Sequence, residues 1–232
     1  MFESAQLSNL GEIERALGNY AAARERLETA LELGRSAGAS MICAHCVVEL
    51  AEVANARGDS PAAQALVSEG LAIVRAMSHR DLEAWLIVLQ GDAQRTVGRL
   101  GDAADSYHRA LAIYRETGRA KVPLELFAGL ALVASALGER EEGLAHVARI
   151  EAGIDAGDDP NAAPGLLWAC HTVLAAAKSS RADDVLTRAQ SVLTERAGLL
   201  DGADRATFLG NVPAHRAIMT AWAALSKTTP TP

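Results

Sequence analysis

Lysine is nearly absent: the chain has only Lys121, Lys178 and Lys227, and each follows alanine or serine. That excludes a G-x-x-x-x-G-K-[ST] phosphate loop and leaves nucleotide hydrolysis without its usual machinery. No G-x-S-x-G elbow, H-E-x-x-H helix or dinucleotide fingerprint appears either, so no catalytic mechanism is indicated and the chain is read as non-catalytic. Aromatic residues make up only 4% of the sequence, against 50% hydrophobic. The core must therefore be built from Ala, Leu and Val on closely packed helices. Positive charge is also in deficit, with 22 Lys+Arg against 29 Asp+Glu and a net charge of -7. Nucleic-acid affinity rests on clustered cations, so nucleic acid is not an expected direct partner.

Three cysteines, an odd number, do not make a disulfide framework. Cys43-Ala-His45-Cys46 supplies half of a structural zinc site. Its only candidate complement, Cys170-His171, lies three repeats away, so neither a metal nor another cofactor is expected. The apolar stretch from Leu126 to Gly138 falls short of the roughly 18 residues that span a bilayer, and reads as a buried helix. Met1-Phe2-Glu3-Ser4 lacks the basic and apolar regions of a secretory signal. The expected location is cytoplasmic, with no membrane partner.

What is present is a repeat. Gly18, Gly58, Gly98 and Gly138 stand 40 residues apart, each between two alanine-rich amphipathic patterns. Such a period signals helical hairpins that bury their apolar faces only by stacking. The first unit has Leu7, Leu10, Gly11, Ile13 and Leu17 on one helix, and Tyr20, Ala23, Leu27, Ala30 and Leu31 on the next. Both show three-and-four spacing. A shift of 40 reproduces the pattern at Leu50, Ala51, Val53, Ala63, Val67 and Leu71, and again at Gly91, Ala93, Ala103, Tyr107, Ala110 and Leu111. A fourth unit keeps Leu130, Ala131, Gly143 and Val147; a fifth, degenerate one has Ser180 in the place expected for the glycine.

Each glycine fits the left-handed position that ends a helix. Asp59 or Ser60, with Pro61, restarts one. Residues 153–164, with Asp, Gly, Asn and two prolines, mark the longest loop.

The hairpin with its glycine break and Ala-x3-Tyr/Leu-x2-Ala-Leu pattern resembles the tetratricopeptide repeat (TPR). The likeness is best seen in Gly98, Ala103, Tyr107, Ala110 and Leu111 and in Gly18, Ala23, Leu27, Ala30 and Leu31. The resemblance implies an all-α, right-handed α-solenoid of about five TPR-like hairpins, at about 4–35, 44–75, 84–117, 124–151 and 166–197. Residues 1–199 form the solenoid, 200–226 the C-terminal capping helices and 227–232 a disordered tail. The unit exceeds the common 34-residue form, and in this resembles the repeats of kinesin light chains and of maltose-regulon-activator-like bacterial regulators of the ATPase type. The segment Arg205 to Arg216 resembles the C-terminal end of such regulators, or is only a cap. Gln90 departs from the series Leu10, Leu50 and Leu130.

In TPR proteins the first helix of each hairpin lines a concave groove that takes a protein or peptide segment. By register that face takes Ser8, Glu12 and Arg15, then Val48, Glu49, Glu52 and Asn55, then Trp85, Val88, Leu89, Asp92 and Arg95. The candidate contact residues are Glu12, Arg15, Glu49, Glu52, Asn55, Trp85, Val88, Asp92 and Arg95. Glu12, Glu52 and Asp92 align as an acid row suited to a basic ligand, with Trp85 as anchor. The competing reading is that the acids and arginines neutralise one another between neighbouring helices. Lysine and asparagine residues that would clamp a peptide carboxylate are missing from these positions. The resemblance implies a sensor or interaction part of a bacterial transcriptional or signalling regulator, in cis or as a separate chain. The alternative is a self-association module, a homodimer included, using its open end helices, where Phe2 sits.

Overall fold

The structure is a computed structural model that describes residues 2–119, 121–157 and 163–228. The described residues are all-α, with twelve helices and no strand. They divide into two compact units, residues 1–120 and 121–232. The first holds α1 (Phe2–Ala16), α2 (Tyr20–Ser36), α3 (Ser40–Ala56), α4 (Ser60–Ala76), α5 (Arg80–Thr96) and α6 (Leu100–Glu116). The second holds α7 (Leu124–Leu137), α8 (Arg140–Asp155), α9 (Ala163–Ala176), α10 (Ala182–Gly198), α11 (Gly202–Gly210) and α12 (Pro213–Thr228).

The hairpin turns follow from local chemistry. Gly58 takes φ +73°, and its N–H bonds Asn55 O at 3.0 Å while Asp59 N–H reaches back to Ala54 O at 2.9 Å. This left-handed closure satisfies carbonyls that the helix end would leave unpaired. The same pair of bonds recurs at Gly18, Gly98 and Gly138. Asp59 rather than Ser60 then caps α4, accepting from Ala62 N–H at 3.2 Å. Ser60 is buried and donates instead to Ala93 O at 2.9 Å, tying α4 to α5.

A second series of left-handed residues lies halfway between the first: Gly38, Ser78 and Gly118. Only two of the three are glycine, which hid the 20-residue alternation. In the fifth hairpin the left-handed residue is Lys178, at φ +52°, one full period after Gly138, and not Ser180 as expected. Helices reach into the expected loop, residues 153–164, from both sides. Helix α8 runs on to Asp155 and α9 begins at Ala163; residues 158–162 lie outside the described residues. Residues 229–232 of the expected tail lie outside them too, whereas α12 carries through Thr228.

In the first unit, each helix packs on the next, and α1, α3 and α5 also pack side by side as one layer. No comparable packing joins α2 to α4. The odd-numbered helices therefore form the tighter, inner side of this unit. Close approach relies on small residues: a β-carbon at Gly91 would come within 2.6 Å of the Tyr107 ring. In the second unit, α7–α8 and α9–α10 are the hairpins, and α12 packs on α9 and α10 with α11 against it. His215 fixes that last turn by a 2.9 Å bond to Phe208 O while its ring lies on Phe208.

Candidate functional site

The inner layer of the first unit brings the sequence-derived residues onto one face, but in different states. Arg15 of α1 reaches across to α3, with Nε 2.5 Å from Glu49 Oε2 and Nη1 2.8 Å from Glu52 Oε2. Glu52 Oε1 in turn accepts from Trp85 Nε1 of α5 at 2.9 Å. One polar chain thus crosses three repeats. A second link runs from Asn55 Nδ2 to Leu89 O at 3.0 Å. At the end of the row, Asp92 Oδ1 accepts from Tyr107 O–H at 2.8 Å and faces Arg95 Nη2 at 3.5 Å.

Neutralisation between helices therefore describes Arg15, Glu49 and Glu52, whereas Asp92 and Arg95 pair within α5. Glu12 is different, being exposed and without an ion pair. Glu49 is buried beneath Arg15, and Val88 is fully buried in the core with Val48 and Leu89. Val88 thus offers no surface to a ligand in this conformation. Trp85 is half-buried, its indole edge spent on Glu52. Two buried polar atoms on this face, Asn55 Oδ1 and Arg95 Nε, find no partner among the described residues. Each such atom costs free energy until something satisfies it.

Two carboxylates, Glu49 and Glu52, share the single guanidinium of Arg15, and burial governs their protonation. Burial pushes Glu52 up to about 7 against the pull of Arg15, with the neighbouring charge of Glu49 adding to the rise. Glu49 and Asp92 are also held above the carboxylate range, again mainly by burial, with Arg15 and Arg95 opposing. Tyr107 is raised well above an ordinary phenol by burial and by Asp92, so it stays protonated and donates to Asp92.

Tyr107 is the functional neighbour that sequence reasoning missed, having been read only as a repeat-core position. Its hydroxyl reaches Asp92 because Gly91 lets the ring lie directly on α5. An aromatic hydroxyl in a core register is the available signal, since a buried O–H needs a partner.

The other motifs carry no chemistry of their own. Cys43 and Cys46 are buried on α3, and burial raises both thiols. Cys170 is pushed up to about 12 for the same reason. Such thiols are poor nucleophiles. Among the described residues no group of three His, Cys, Asp or Glu is placed to hold a metal ion, and no helix is long and apolar enough to cross a membrane.

Residues 3–76, which hold all of α2 to α4 and all but the first residue of α1, match the family model of the tetratricopeptide repeat. No curated protein matches the chain. Among solved structures, a Rap protein complexed with competence and sporulation factor is similar at 14% identity and a TM-score of 0.64, over 97% of this chain. The chain spans 64% of that Rap chain. BtubC (BKLC) from P. vanneervenii matches at 18% identity and a TM-score of 0.57, over 94% of each chain. Nearly identical TPR-like repeats of a kinesin light chain from Podosopora anserina match at 16% identity and 0.55, over 83% of this chain and 95% of theirs. At these identities the likeness is one of fold: an all-α solenoid type built from TPR-like hairpins.

Proposed function

We propose that the chain is a non-catalytic scaffold that binds a protein or peptide segment on the inner face of α1, α3 and α5. The observation that carries this reading is the α1–α3–α5 face itself, which presents the exposed Glu12 and the half-buried Trp85 together with the partly exposed Arg15 and Arg95. An extended segment with a basic or apolar side chain suits such a carboxylate and indole. The TPR match over residues 3–76 and the likeness to a Rap protein whose structure holds competence and sporulation factor support a binding role. In this reading the chain is the sensor or interaction part of a bacterial transcriptional or signalling regulator and works in the cytoplasm. Ligand contacts to several repeats bias the curvature of the stack.

The test is to pan a random peptide display library on the whole chain and to titrate the enriched peptides by calorimetry. Trp85→Ala and Glu12→Gln should each weaken binding several-fold, and an outer-face change such as Glu25→Gln should not. Equal effects of inner and outer changes would remove the groove assignment.

A second reading, self-association, rests on a different observation. Phe2, Leu10 and Ile13 on α1 are 79%, 44% and 55% exposed, whereas Leu50 and Val53, one period after Leu10 and Ile13, are 5% and 3% exposed beneath α2. The α1 face thus has stacking chemistry without a stacked helix. Light scattering would show a mass that rises with concentration and is lost in Ile13→Glu; a constant monomer mass would dismiss this reading.

A further inference from the structure

Because α1, α3 and α5 pack together while α2 and α4 stand apart, a cleft opens on the outer side of the first unit, with α3 as its floor. It encloses about 320 Å³, within the range of small-molecule sites. Leu50, Val53 and Ala54 of α3 and Ala62, Ala65 and Leu66 of α4 supply its apolar lining. The charges at its mouth are Arg24, Glu28, Arg57 and Asp59. Three of them are committed: Arg24 pairs with Glu28 at 2.7 Å, and Asp59 accepts from Ala62 N–H. The Arg57 side chain makes no hydrogen bond or ion pair among the described residues and is the one uncommitted charge at the mouth.

The apolar lining is not a property of the repeat itself. One period on, the equivalent positions of α5 and α6 are polar: Gln90, Gln94, Asp102, Asp105 and Ser106 line a pocket with His108 and Arg109, and Gln94 accepts from Ser106. Gln90 takes the place of Leu50, Gln94 of Ala54, and Ser106 of Leu66. The departure of Gln90 from the leucine series thus marks where an apolar cleft gives way to a polar one.

We propose that the cleft between α2 and α4 is a binding site for a small amphipathic carboxylate, whose apolar body lies on Ala62, Ala65 and Leu66 above the floor of Leu50 and Val53 and whose carboxylate meets Arg57. The apolar body gains by leaving water. The guanidinium forms a charge-assisted pair with the carboxylate at the solvent-exposed mouth. This site is independent of the inner-face reading, since it shares no residue with it.

Octanoate and octanol, titrated into the whole chain by calorimetry, test both halves of the site. Octanoate should bind saturably with one site per chain, and octanol about tenfold more weakly, as loss of one exposed charge-assisted bond implies. Arg57→Gln should bring octanoate to the level of octanol. Ala65→Trp, which fills the cleft from an exposed position, should abolish both while circular dichroism shows the helices intact. Absence of saturable octanoate binding, or binding unchanged in Ala65→Trp, would overturn the site. So would binding of a leucine- and glutamate-rich peptide without octanoate, which would make the cleft a protein contact instead.

Discussion

Trp85 of α5 donates its indole N–H to Glu52 of α3 at 2.9 Å, across 33 residues of sequence. The anchor expected to await a ligand is thus already a strut between two repeats. Its partner is a half-buried carboxylate with a pKa raised to about 7, and that makes the first unit sensitive to pH.

The sign follows from proton linkage. Glu52 binds its proton more tightly folded than unfolded, where it titrates near 4.5, so its ionisation costs stability as pH rises from 4.5 to 7. Glu49 and Asp92 act in the same sense, and Glu83, whose pKa two arginines lower, in the opposite one. Glu52→Gln isolates one group. It should match the wild type below pH 4.5 and exceed it by roughly 1 to 3 kcal/mol above pH 7. Parallel pH profiles in urea unfolding would show that Glu52 is not the group responsible.

Among the described residues Arg15 is the only cation facing both Glu49 and Glu52 at ion-pair distance. Removing one partner from a buried set leaves uncompensated charge, so Arg15→Gln should cost about 2 to 4 kcal/mol at pH 8. Arg15→Gln with Glu52→Gln should recover part of that loss in a double-mutant cycle. Additive effects would mean that the two side chains do not interact in solution.

Packing limits can be probed with two glycines of neighbouring helices. Gly91→Ala drives a β-carbon into the Tyr107 ring at 2.6 Å and should cost about 1 to 3 kcal/mol by overpacking. It should also pull the Tyr107 hydroxyl off Asp92. Gly101→Ala meets nothing within 4 Å and should be neutral or stabilise by a few tenths of a kcal/mol, its position in the first turn of α6 limiting the gain. Similar losses in both would contradict the close approach of α5 and α6.

Ser78 and Lys178 carry side chains at φ +55° and +52°, where their periodic counterparts are glycines. Ser78→Gly and Lys178→Gly should each raise stability by up to about 1 kcal/mol, since glycine is free of the steric cost there. A loss in either variant, measured by thermal unfolding, would contradict the left-handed backbone.

The hairpins were legible because their signals are local. Gly18, Gly58, Gly98 and Gly138 close helices through bonds to residues three and five positions back, and the apolar spacing sets which face is buried. The candidate row was legible only as register. A shift of 40 placed Glu12, Glu52 and Asp92 in equivalent positions but could not tell the exposed carboxylate of Glu12 from the paired Glu52 or the Tyr107-bonded Asp92.

By itself, then, the sequence determined helix type, hairpin period and the identity of the stacked faces, since these depend on contacts within one turn or one repeat. Only the tertiary structure decided which charges cancel, that Val88 is core, that Tyr107 completes the row, and that an apolar cleft stands open beside Arg57. Those outcomes depend on side chains 15 to 37 residues apart, such as Asp92 with Tyr107 and Arg15 with Glu52. Their separation in space is set by how neighbouring helices pack, and no local pattern encodes it.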